Sequence, residues 1–290
     1  MILVVGATGS IGREVVRLLV ERGLPVRALS RDVERARSLP GWQGVDVAAG
    51  DPAQPESLTA AFQGVDKVVL IPPSGPAWNV GEKNLIAAAQ HAGVKYIVKI
   101  STVGVDPAAP SMSQSFHAQG EELVARSGIP HTILRPNSFM QNFLVFYAAG
   151  IRATGVLYQC TGDVPTAMID TRDIAAIVVR LLTEEGHAGK TYELSGPEAI
   201  NYTQAAQKLS AATGRDIRHQ DLPPEVFQQG MVSAGLPDWA AAEVVNIYGR
   251  GFFREGGGAV VTTVTAELLG RAPRTFDDFA RDHADQFQAT

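Results

Sequence analysis

Cysteine is almost missing from this chain: Cys160 is the single one in 290 residues, which excludes an internal disulfide framework and a thiolate-rich zinc site. No metal is expected. The lone thiol reads as a buried packing residue, with a reactive nucleophile as the alternative. Long apolar runs are missing as well, so no membrane span is expected. Met1 leads into Ile2-Leu3-Val4-Val5 and then Gly6, too short a stretch for a secretion signal and without its basic leader, so the expectation is a cytoplasmic protein. Nor is positive charge in excess. The formal net charge is −5, which disfavours sequence-blind binding to a polyanion, and no nucleic-acid partner is expected.

What is present is ordinary globular composition, 45% hydrophobic and 19% charged, on a chain long enough to bury a full core. Short β-branched runs at residues 2–5, 26–29, 45–48, 67–71, 96–100 and 131–134 alternate with stretches of helical spacing at 12–22, 55–62, 79–92 and 115–127. That alternation is the βαβ rhythm, and it predicts an α/β fold: a Rossmann-like doubly wound parallel sheet of six strands. Past Pro136 the rhythm breaks into an aromatic-rich helical stretch with no clear strand after it. The reading is a nucleotide-binding domain over 1–138, completed by about 166–195, with a smaller, discontinuous C-terminal substrate lobe over 139–165 and 196–290. Residues 170–183 carry an apolar helical face, 190–194 read as a short strand, 202–213 as a helix, and 263–287 as helical and polar.

Gly6-Ala7-Thr8-Gly9-Ser10-Ile11-Gly12 lies between the first strand and the first helix, where backbone N–H groups and a positive helix end converge on a pyrophosphate. Gly6, Thr8, Gly9, Ser10, Ile11 and Gly12 are therefore candidate cofactor contacts. The spacing is GxxGxxG, not the GxGxxG of the standard dinucleotide fingerprint, and its position between strand and helix is what gives it weight. About twenty residues on, an NAD site places Asp or Glu at the tip of the second strand. This chain has Ser30-Arg31 there. A guanidinium suits a 2′-phosphate, so NADP(H) is the preferred cofactor, with NAD(H) possible if Arg31 is solvated and Asp32 takes the ribose. Asp51 after the third strand is a candidate near the adenine, or a turn residue.

GATGSIG at the N-terminus, STVG after the fifth strand and FHAQGEELVARSGIPHTILRPNSFMQNF resemble the NmrA-like branch of the atypical short-chain dehydrogenase/reductases. The likeness spans nearly the whole chain. Within that branch the sequence is similar to NAD(P)H-dependent quinone oxidoreductases, triphenylmethane dye reductases and azoreductases. The resemblance implies hydride transfer to a small planar electron-poor acceptor, the partner being that small molecule and the protein a monomer or homodimer. It implies cofactor contacts from Ile71, Pro72 and Pro73 after the fourth strand and from Pro136 and Asn137. Most short-chain dehydrogenases place Tyr and Lys four apart on the helix after the fifth strand; the matching helix here has His117 and Glu121. One turn apart, these two can face the same way, so that Glu121 orients or charges the imidazole. His117 is a candidate proton donor or a pocket-lining residue, and Ser101 and Thr102, at a C-terminal strand end, are candidate catalytic hydroxyls or turn caps. Trp78, Phe139, Met140 and Phe143 are the substrate-binding candidates, as pocket or as core. Absence of the Tyr and Lys pair keeps a second class open: a non-catalytic NADP(H)-binding redox-sensing regulator.

Overall fold

The computed structural model describes every residue except Pro73, Ser74, Pro76, Ala77 and Thr290. Among the described residues, β1 (Ile2–Val5), β2 (Val26–Ser30), β3 (Asp46–Ala49), β4 (Lys67–Leu70), β5 (Tyr96–Ile100), β6 (His131–Pro136) and an edge strand, Thr191–Leu194, form a seven-stranded sheet. Their spatial order is β3-β2-β1-β4-β5-β6 with the edge strand beside β6. The first six pair in parallel. At the edge, Gly189 N donates to His131 O and Ile133 N to Lys190 O, both chains rising together as parallel strands require. The alternating pattern thus holds, and the short run at 190–194 adds a seventh strand to the six expected.

Burial explains the composition of the strands. All four residues of β1 are buried, because helices cover both faces of a parallel sheet and leave no face for polar alternation. Helix α1 (Ser10–Glu21) turns Ile11, Val15, Val16 and Leu19 inward. Four more helices follow in the same region: α2 (Val33–Arg37), α3 (Leu58–Phe62), α4 (Trp78–His91) and α5 (Met112–Arg126). α1 begins two residues before the expected start, because Gly9 with φ −81° and ψ 176° is the extended N-cap. No helix among the described residues is long and apolar enough to cross a membrane.

The chain divides into two compact units: Met1–Pro107 with Phe116–Arg135 and Ile174–Tyr192, and Ala108–Ser115 with Pro136–Asp173 and Glu193–Thr290. The first has a core of Leu3, Val5, Phe62, Leu70, Leu85, Ile97 and Val124, among others. In the second, Val156–Gln159 pairs in parallel with Arg218–Asp221, two strands that period-2 patterning did not reveal. Its core gathers Phe143, Tyr147, Tyr202, Phe276, Phe279 and Phe287, with Phe143 at 4.9 Å from Phe276 and 5.7 Å from Tyr202. Each fully buried ring is worth about 2–3 kcal/mol. The expectation of a polar C-terminal helix is corrected here: 263–287 is broken into Val264–Leu269, Phe276–Asp282 and Ala284–Phe287, and its three phenylalanines are at most 1% exposed.

Candidate functional site

Parallel strands deliver their following loops to one edge. The registers Val5↔Leu70 and Ser30↔Ala49 bring the ends of β1, β4, β2 and β3 level, so the loops at 6–9, 31–32, 50–54 and 71–72 gather beyond the sheet's C-terminal edge. They enclose a cleft of about 480 Å³ lined by Gly6, Thr8, Arg13, Arg31, Arg35, Asp51, Ile71, Trp78 and Gly81 with their neighbours.

The turn after β1 is built by its glycines. Gly6 has φ +70°, and a Cβ there would lie 2.9 Å from the Ile71 carbonyl oxygen. A Cβ on Gly12 would collide with the Gly6 carbonyl oxygen and lie 2.7 Å from Ala7 Cα. Gly9 N donates to Gly6 O at 3.0 Å, closing the turn. No side chain caps the start of α1 and no acidic residue stands in its first turn, so its positive end and free N–H groups are left for an anion. Thr8, Gly9 and Ser10 are exposed, whereas the Ile11 side chain is buried, leaving only its backbone for a ligand.

Arg31 and Arg35 are exposed, and among the described residues neither has a carboxylate at ion-pair distance. Asp32 accepts from Arg35 N at 3.0 Å as the N-cap of α2, so its carboxylate already has a task. Arg13 joins the same rim, its Nε donating to Thr8 O at 2.8 Å. Asp51 both lines the cleft and closes its own turn, accepting from Ala53 N at 3.0 Å. The residues fit a dinucleotide: a glycine cradle that a Cβ would fill, an uncapped helix start, and the Arg31 and Arg35 guanidinium groups, which have no carboxylate partner among the described residues. Sequence reading missed Arg13 and Arg35. The first was signalled by its place directly after Gly12, the second was hidden in the charged run RDVERAR.

The candidate catalytic residues Ser101, Thr102 and His117 are not among those that line this cleft. Ser101 is 2% exposed and its Oγ donates to Glu121 Oε1 at 2.5 Å. Arg135 grips the same carboxylate through Nε at 2.9 Å and Nη2 at 2.6 Å. Glu121 therefore does not orient His117, because both its oxygens are held by Ser101 and Arg135. Thr102 is half-buried. His117 is buried with no partner for Nδ1, and burial, reinforced by the Lys99 charge, holds it well below the usual histidine range. It is a neutral imidazole at neutral pH. Lys99 is fully buried and paired with Glu82, not extended toward a ligand. The remaining Glu82 oxygen, Oε2, accepts from Trp78 Nε1 at 3.2 Å, and the Trp78 ring stands edge-on to His117 at 4.6 Å.

Pro72 is half-buried beside Ile71, and Pro73 lies outside the described residues. Pro136, Asn137, Phe139, Met140 and Phe143 belong to the second unit. The Asn137 amide donates to Gly258 O at 2.9 Å and accepts from Ser138 N at 2.8 Å. Met140 and Phe143 are 1% exposed within the apolar core and present no surface to a substrate. Phe139 is half-buried and keeps part of its ring available.

An NmrA-like family model matches residues 1–280. The NAD(P)H azoreductase of Xenophilus azovorans is 40% identical over 289 residues, covering 100% of both chains. Among solved structures, the NADPH-dependent quinone oxidoreductase of Escherichia coli complexed with NADPH superposes with a TM-score of 0.86 at 31% identity, over 97% of this chain and 99% of that one. The triphenylmethane reductase of a Citrobacter species complexed with NADP(H) gives 0.86 at 28% identity, over 98% of this chain and 100% of that one.

Proposed function

The chain belongs to the NmrA-like family, and on that premise we propose that it is an NAD(P)H-dependent reductase of small, planar, electron-poor acceptors of the quinone, azo and triphenylmethane dye type. The observation that carries this reading is the cleft: a glycine turn under an uncapped helix start, rimmed by Arg13, Arg31 and Arg35. Gly6, Gly9 and Gly12 admit a pyrophosphate against the backbone, Thr8 and Ser10 flank it, and Asp51 and Ile71 line the nucleoside side. Arg31, with Arg35 beside it, meets a 2′-phosphate by charge-assisted hydrogen bonds. That favours NADP(H) over NAD(H).

When bound, the reduced nicotinamide supplies the hydride. The chain supplies orientation. His117 and Glu121 stand where Tyr and Lys serve in most short-chain dehydrogenases. The His117 imidazole is neutral and Glu121 is committed to Ser101 and Arg135, so no strong acid is held there. Quinone and azo acceptors do not need one as a carbonyl does. Ser101, Thr102 and His117 are assigned to shaping the pocket, and Phe139 to contact with the acceptor. The substrate-lobe role of the second unit is part of the same proposal.

The test is a titration of the purified protein with NADPH and NADH, followed by loss of reduced-nicotinamide absorbance against a panel of quinones, azo dyes and triphenylmethane dyes. Tighter binding of NADPH than NADH with turnover of at least one acceptor is the expected result. Binding without turnover on any of them overturns the reductase and leaves a cofactor-reading regulator.

A further inference from the structure

A buried ion pair gains little over apolar residues of the same volume, because desolvating both charges offsets their attraction. The Lys99–Glu82 pair, at most 1% exposed, therefore calls for a role other than stability. Its surroundings supply one. Trp78 and Glu82 are one turn apart on α4 and share a face, while Lys99 rises from β5 beneath them. Gly120 on α5 is where Glu82 packs: a Cβ there would fall 2.5 Å from the carboxylate carbon. Trp78, half-buried, carries this cluster to the cleft, which it lines beside Gly81.

We propose that Lys99 and Glu82 are positioning residues that fix the Trp78 indole as a rigid wall of the cleft, making Trp78 a determinant of dinucleotide affinity. Lys99 binds Glu82 through Oε1, which leaves Oε2 aimed at the indole Nε1. That oxygen accepts from the indole N–H at 3.2 Å. The His117 and Phe116 rings, near-perpendicular to the indole with centroids 4.6 Å and 6.0 Å away, close it from the α5 side. With hydrogen bond and ring contacts together, the indole is held in one orientation before a ligand arrives, and preorganisation of this kind appears as affinity.

The proposal rests on the dinucleotide reading of the cleft, and the experiment separates the two. NADPH affinity is measured for the parent protein, for Glu82→Leu with Lys99→Met, for Trp78→Phe, and for all three changes together. The parent binding no dinucleotide overturns both the reading and the proposal. With the parent binding, the apolar pair is expected to fold and to weaken NADPH by about tenfold, raising KM for NADPH while kcat stays close to the parent's. Trp78→Phe is expected to weaken binding similarly, and the pair substitution to add nothing in that background, because the pair acts through the indole. Unchanged affinity in the folded pair variant, or losses that simply add, overturns the proposal. Should the apolar pair fail to fold, Trp78→Phe decides: a raised KM with unchanged kcat sustains the proposal, and parent-like affinity overturns it.

Discussion

At the cleft of the first unit, Arg31 and Arg35 stand exposed and, among the described residues, without carboxylate partners, and no side chain among them caps the first turn of α1. Three carboxylates of the second unit are instead fully engaged, although Thr161, Thr166 and His219 there each keep a buried polar atom without a partner among the described residues. Asp173 is fully buried between Arg271 and Arg274 and also accepts from Arg274 N at 2.7 Å. Asp170 takes Arg172, and Gln141 at 2.9 Å. Glu243 accepts from Ser111 Oγ, Met112 N and Ser113 N. Polar groups left open at a concave surface mark a region made to receive a charged ligand, while saturated ones mark a region made to hold its own backbone. The difference predicts which substitutions act on binding and which on folding.

The largest effect is expected at the glycine turn. Gly12→Val places carbon against the Gly6 carbonyl and Ala7 Cα, and backbone cannot move aside as a flexible side chain can. Destabilisation of about 3 kcal/mol should accompany loss of dinucleotide binding, read as a urea midpoint and a titration on the same sample. If the variant binds NADPH as the parent does, the turn is not what closes the cleft.

The second unit is probed by Asp173→Ala, which strips two guanidinium groups of their partner. They are 44% and 33% exposed, so water takes part of the load, and a loss of about 2 kcal/mol is expected in thermal unfolding. Asp170 adds a pH test. Burial pushes its carboxyl up, but the hydrogen bonds from Arg172 outweigh burial and hold it below the usual range. Its folded pKa being depressed, the stability it contributes is present above its unfolded pKa of about 3.9 and is lost as pH falls through the folded value. Asp170→Asn should flatten that acid limb of the Tm profile. An unchanged limb would mean that the network is not saturated in the way the geometry describes.

How much of this was readable beforehand follows from the same contrast. The six parallel strands and the glycine turn were legible because strands buried on both faces must be continuous apolar runs and a backbone approach must be glycine. Arg31 was legible because its place at the tip of β2 is fixed by chain length. The second unit was not, since its strands at 156–159 and 218–221 have only a short two-strand pairing and its phenylalanines at 276, 279 and 287 sit in a charged segment. Glu82 was missed because its partner, Lys99, lies 17 positions away, a pairing that only the fold creates. Met140 and Phe143 showed helical spacing, which describes core and pocket equally well.

An effect of similar size, on affinity instead of stability, should follow at the rim. Removing both guanidinium groups with Arg31→Ala and Arg35→Ala deletes charge-assisted hydrogen bonds worth about 2 kcal/mol together, or roughly thirtyfold in affinity. NADPH should lose that factor while NADH, lacking the 2′-phosphate, binds nearly as before. Equal losses for the two dinucleotides would show that the rim attracts pyrophosphate generally and would remove the basis for NADP(H) preference. Thermal stability should hardly move, since neither side chain has a carboxylate partner to lose among the described residues.

Cys160 should give the smallest change, and it tests the second unit at its quietest point. The residue is fully buried, its N–H bonded to Gln159 Oε1 at 2.7 Å and its carbonyl to Arg254 Nη1 at 2.6 Å. Burial, with Asp221 nearby, pushes the thiol up to about 12, so at neutral pH almost none is thiolate, the form that attacks an alkylating reagent. Alkylation of the native protein should be slow and should accelerate in urea to the rate of an unfolded thiol. Cys160→Ala should lower stability by about 1 kcal/mol through the small void it leaves and leave NADPH affinity intact. Rapid alkylation of the folded protein would place the thiol at a reactive surface, against its burial in the fold.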